Sequence, residues 1–112
     1  MASTIEWSDF GKMDMWVGTI ISAEALKNAR KPAYVLKIDF GPLGIKTSSA
    51  QITAHYFTEE LAGKQIIAIV NFPVKRIAGI KSECLVMGVY ETLDKVVLLS
   101  ADKRVENGLK IG

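Results

Sequence analysis

The chain has 112 residues, 49% of them hydrophobic, with one cysteine, one histidine and a net charge of +2. That length fits one domain, residues 1–112, and leaves no room for a second with its own core. The composition excludes a disordered chain, and the longest unbroken apolar run, residues 66–70, excludes a membrane-spanning helix, which needs about 18 or more residues.

The first residues, MASTIEWSDF, lack the charged and apolar regions of a signal peptide, so a cytoplasmic protein without membrane insertion is expected. The segment MWVGTIISAEAL is rich in β-branched residues and predicts a long first strand. Gly18 within it marks either a bulge or a close backbone approach. In AYVLKIDF the residues Tyr34, Leu36, Ile38 and Phe40 fall on one face and Lys37 and Asp39 on the other, the alternation of a half-buried second strand. GPLG supplies the turn into a third strand, IKTSSAQIT. One short helix follows, with Thr58 as its N-cap, Glu59 and Glu60 in its first turn and Gly63 as its terminator. KQIIAIVNF, apolar on both faces, predicts a buried fourth strand. VKRIAGIKSE reads as a loop and CLVMGVYE as the fifth strand, and the tail adds the apolar run VVLL and the turn-like ENG.

Three strands, a helix and two more strands is the order of the OB-fold. The expected architecture is therefore all-β with one short helix, a five-stranded OB-fold Greek-key barrel with short N- and C-terminal extensions at residues 1–12 and 93–112.

Few residues offer catalytic chemistry. His55 with Ser48 or Ser49 lacks the strand-turn-helix elbow of a serine nucleophile. The lone Cys84 and lone His55 do not make a metal set, and no cofactor is implied. Cys84, in the apolar run CLVMGV, reads as a buried small hydrophobe.

Charge points elsewhere. Residues 27–81 hold nine basic and three acidic residues, a balance of +6, and the remainder holds five basic and nine acidic, a balance of −4. Such asymmetry suits a face for a polyanion, or a merely solvated surface. Lys46, Thr47, Ser48, Ser49 and Gln51 combine a cation with short hydrogen-bonding side chains, suited to contact with phosphates, base edges or a peptide backbone. The alternative is an edge strand kept polar against aggregation.

The strings DMWVGTI, ARKPAYVLKIDFG, KTSSAQIT, YFTEELAGKQIIAIVNF and SECLVMGV resemble the tRNA-binding domain family, an OB-fold module that is freestanding or fused to some aminoacyl-tRNA synthetases. Within it the chain more closely resembles the freestanding, export-related CsaA chaperone branch, over residues 10–111. The synthetase-fused pattern has Ser-Gly where Ser49-Ala50 stands and Glu-Gly where Glu83-Cys84 stands.

The resemblance implies a homodimer without enzymatic activity. Binding of unfolded or precursor polypeptides is implied too, with tRNA and a protein-export motor as further candidate partners. It also implies that the terminal extensions make the dimer, which assigns Ile5, Trp7, Phe10, Val96, Val97, Leu98 and Leu99 to a dimer or peptide-binding surface. The other reading of these residues is that they cap the barrel ends. For nucleic acid, the resemblance places Lys75, Arg76, Lys81, Ser82 and Glu83 in the binding region, with Arg30, Lys31, Lys46, Ser48 and Ser49 as the other candidate face.

Overall fold

The computed structural model describes residues 2–112 and is built mainly of strands. In chain order the elements are α1 (Trp7–Gly11), β1 (Met15–Ala25), β2 (Tyr34–Asp39), β3 (Ile45–Ala50), α2 (Thr58–Leu61), β4 (Gln65–Ile69), β5 (Lys75–Ile77), β6 (Ile80–Ser82), β7 (Leu85–Val86), β8 (Gly88–Thr92) and β9 (Lys95–Leu98). The main sheet runs β3-β2-β1-β4-β7, every neighbouring pair antiparallel. β7 comes round beside β3, so the sheet curls into a nearly closed barrel. This is the OB-fold architecture that the order of strands and helix predicts.

Alternation along each strand fills the barrel. Ile20, Leu36, Ile38, Phe40, Ile66 and Ala68 are buried in one cluster, and Leu61 of α2 is buried with them. Gly18 makes the close approach that is one of its two expected roles. A Cβ there would lie 2.6 Å from Ile38 Cγ2 and 2.8 Å from the Phe40 ring. The bulge of β1 is elsewhere, between Ile20 and Ser22, where the register with β2 shifts.

Beyond the barrel, the C-terminal residues lie along the first residues of β1, on the side that β2 does not reach. The Val17 N–H donates to Leu109 O, and the N–H groups of Gly108 and Ile111 donate to Val17 O and Met15 O. The Thr19 hydroxyl donates to Asn107 Oδ1 at 2.6 Å, and Gln65 Nε2 donates to Val105 O at 2.7 Å. These bonds hold the ENG turn against the barrel.

Several elements differ from expectation, each for a local reason. α1 is a second helix. Its five residues are too few to show an apolar period, and the Glu6 N–H is capped by Asp9 Oδ2 at 2.9 Å. In α2 the N-cap is Phe57, not Thr58, because the Glu60 carboxylate reaches back to accept the Phe57 N–H at 2.9 Å. Gly63, at φ 92°, ends the helix region as expected.

The segment read as the loop VKRIAGIKSE is a β-hairpin, β5 with β6, closed by the pair Ile77–Ile80. Its two-residue turn has Ala78 at φ 47° and Gly79 at φ 87°. Asn-Gly is the usual signal for such a turn, and Ala-Gly does not announce it; holding alanine in the left-handed region costs about 1–2 kcal/mol. The fifth strand is split as well. β7 stays on β4, and from Gly88 the chain leaves to pair with β9 in a separate ribbon, where Val97 O lies 2.8 Å from where a Gly88 Cβ would stand.

Replacing Gly18 with alanine should lower stability by about 1–3 kcal/mol through overpacking. Urea unfolding should show an earlier midpoint at an unchanged slope; an unchanged midpoint would mean that Ile38 and Phe40 yield freely.

Candidate functional site

The polar residues of β3 divide between its two faces. Ser48 and Ala50 point into the barrel, opposite Leu36 and Tyr34 of β2, and Ser49 points out. Ser48 is 0% exposed, and its hydroxyl donates to Cys84 O at 2.9 Å. Beside it, Glu83 N–H donates to Thr47 O at 2.7 Å, Thr47 N–H donates to Glu83 Oε1 at 3.0 Å, and Ser49 N–H donates to Ser82 Oγ at 3.1 Å. Residues 82–84 thus sew the open edge of β3 to the far side of the barrel.

One candidate contact residue is corrected by this seam: Ser48 is sealed in the core. The Ser82 hydroxyl and Glu83 carboxylate, on half-buried side chains, each accept a backbone N–H of β3. Cys84 is buried as expected, and burial is the main cause that pushes its thiol from 9.0 up to about 11. Lys46, on the same side of β3 as Ser48, is half-buried and works mildly in the opposite direction on that thiol.

On the outer side of the seam runs a groove in two connected parts. One, of about 400 Å³, lies between residues 28–31 and the Ala78 turn; the other, of about 640 Å³, extends along β7 to the β8–β9 ribbon. They share Lys31, Ser49, Gln51 and Ile77. The fold therefore brings together Arg30, Lys31, Ser49 and Lys75 of the sequence candidates. It leaves out Arg76 and Lys81, which face each other across the hairpin and are exposed.

The opposite wall is apolar, with Leu85, Val86, Leu93 and Val96, and the sequence reading missed most of it as groove-forming. Leu93, at the ribbon tip, is 83% exposed. The only available signal was the pairing of two apolar runs, VMGVY and VVLL, around the polar turn that contains Leu93.

The apolar terminal candidates separate. Trp7 is 91% exposed, and Ile5 and Phe10 are exposed too; α1 has no buried residue. Asn71 clamps the end of this segment by donating to Lys12 O and accepting the Asp14 N–H. Of the C-terminal candidates Val97 faces out, while Val96 and Leu98 pack on the core and the Leu99 N–H bonds to Met87 O. The cap reading thus describes Val96 and Leu98, and the N-terminal residues stay uncovered.

His55 Nε2 lies 3.3 Å from Glu91 Oε1 and ties the ribbon to the segment before α2. Among the described residues no group of three or more His, Cys, Asp or Glu is placed to hold a metal ion, and no helix is long and apolar enough to cross a membrane.

A family model described as a putative tRNA binding domain matches residues 15–110. The chain belongs to this tRNA-binding domain family. Its members include parts of larger enzymes. Over 104 residues the chain is 31% identical to the methionine–tRNA ligase of Methanococcoides burtonii, covering 93% of this chain and 15% of the ligase. Among solved structures, it is similar to the chaperone CsaA of Bacillus anthracis at 50% identity and TM-score 0.94, over 98% of this chain and 100% of that one. A CsaA chaperone of Picrophilus torridus gives 51% identity and TM-score 0.90, over 97% and 100%. Both similarities extend past the family match at the N-terminal side, so they take in the exposed α1 region as well as the barrel.

Because the Cys84 thiol is held neutral, it should react with a thiol reagent at pH 8 only after unfolding, and a fast reaction in the folded state would refute its burial. Because the folded chain holds this thiol proton more tightly than the unfolded one, stability should be unaffected by it below pH 9 and should fall as pH rises from 9 toward 11. Replacing Ser48 with alanine should cost about 1–3 kcal/mol, because Cys84 O loses its buried donor. Thermal unfolding would reveal this loss.

Proposed function

We propose that the chain acts as a chaperone: a single tRNA-binding-type domain, working as a cytoplasmic homodimer without enzymatic activity, that binds unfolded or precursor polypeptides in its groove. The observation that carries this reading is the groove's make-up. An apolar wall of Leu85, Val86, Leu93 and Val96 faces polar Ser49 and Gln51 across a channel open at its surface. An extended polypeptide matches that mixture, since apolar side chains gain about 25 cal/mol per Å² buried and the peptide backbone is met by short polar groups. Similarity to CsaA chaperones over nearly the whole chain supports it. Delivery of precursors to an export motor is the further step of the same reading.

The dimer assigns a cover to Ile5, Trp7 and Phe10, which this chain alone leaves in solvent. Sedimentation should show a dimer, and Trp7→Asp should shift it to monomer without loss of the β-sheet circular dichroism. A monomeric parent chain would refute the assignment.

For the chaperone, the purified chain should suppress aggregation of a chemically denatured client and bind an unfolded polypeptide by calorimetry. Failure in both would end the proposal.

A second reading, structure-specific tRNA binding, is favoured by the family match and by the cations that line the groove, Arg30, Lys31 and Lys75. Contact with about four phosphates gives a log-log salt slope of about −3, against a shallow slope for a hydrophobic complex. Replacing Arg30, Lys31 and Lys75 with alanine should flatten the tRNA slope, and an unchanged titration would remove these residues from the contact.

A further inference from the structure

The groove is asymmetric in charge along its length, and this bears on which polypeptides it accepts. Its smaller part is bordered by Arg30 and Lys31 on one loop and by the Ala78 turn on the other; Lys75 follows in the larger part. No Asp or Glu lines either part. Among the described residues the ion pairs are Lys12–Asp9, His55–Glu91 and Lys110–Asp14, so none of the three groove cations is neutralised by a carboxylate of this chain.

The turn adds a second observation. Ala78 and Asn28 are the non-glycine residues with positive φ among those described, and both line the smaller part. Asparagine tolerates the left-handed region, and alanine does not. The hairpin turn at Ala78 would be served better by asparagine, whose amide would then project at the mouth of this notch. The Ala78 methyl therefore leaves the mouth of the notch without a polar side chain at that position.

Resting on the chaperone reading, we propose that the groove selects extended polypeptide segments in which a carboxylate side chain neighbours apolar ones. The carboxylate seats in the notch against Arg30 and Lys31, and the apolar side chains lie on Leu85, Val86 and Val96. Charge-assisted bonds to a carboxylate are the stronger kind of polar contact, and they fix the register of a chain that apolar burial alone would let slide.

The experiment uses three dye-labelled peptides of one length, with leucines at fixed positions and the intervening residues Asp, Gln or Lys, titrated by fluorescence anisotropy at low salt. The Asp peptide should bind about tenfold more tightly than the Gln peptide, with the Lys peptide weakest. The Asp-to-Gln ratio should fall to within about twofold in Arg30→Gln/Lys31→Gln. It should also fall in Ala78→Asn, a variant expected to melt no earlier than the parent.

Equal binding of the Asp and Gln peptides, or a ratio that survives in the double variant, overturns the selection while leaving the chaperone reading intact. Binding of none of the peptides overturns both. An unstructured oligonucleotide that binds more tightly than the Asp peptide overturns the selection by assigning the cations to phosphates.

Discussion

The barrel depends on how it is closed. Between β3 and the far side there is no regular ladder. Closure comes from the two bonds between Thr47 and Glu83, the Ser82 hydroxyl on Ser49 N–H and the Ser48 hydroxyl on Cys84 O. A buried backbone group without a partner costs free energy comparable to a lost hydrogen bond, so a barrel closed at an irregular seam needs side chains to replace the missing ladder. Small hydroxyls suit that task, because they reach a neighbouring backbone without demanding space in the core. The polar residues in the middle of an otherwise apolar chain are thus explained first by architecture.

The seam also positions the groove. With Ser48 turned inward and the Ser82 and Glu83 groups spent on closure, the outward Ser49 and Gln51 form the floor, and the chain after β7 is free to leave the sheet. It does so at Gly88, building the β8–β9 ribbon that supplies the apolar wall. On the other side the β5–β6 hairpin brings Lys75, Ile77 and Ala78 to the rim. One strand therefore serves two purposes through alternation: its inner face closes the barrel, and its outer face lines the groove. The uncovered N-terminal apolar residues lie apart from both and carry the case for a partner copy.

Much of the barrel was legible in the sequence because its strand signals are local. Tyr34 to Phe40 shows its buried face by alternation, Gln65 to Ile69 declares a buried strand by an unbroken apolar run, and GPLG announces the turn between β2 and β3. What escaped had no such signal. α1 is too short for a period, the β5–β6 turn lacks Asn-Gly, and the division of CLVMGVYE turns on how closely β9 packs against Gly88, a contact made from a later part of the chain.

The candidate site was legible only in part, and for a related reason. Residue type identified Arg30, Lys31, Ser49 and Lys75, which the fold gathers at one groove. The same residue types also nominated Ser48, Ser82 and Glu83, whose neighbours in space lie 33 to 36 positions away. By itself the sequence determined the first four strands, the helix before the fourth and the family, since each is written in local pattern or in matching strings. Only the tertiary structure decided which polar side chains line the groove and which close the barrel, because a hydroxyl's role is set by the partner that folding brings within about 3 Å.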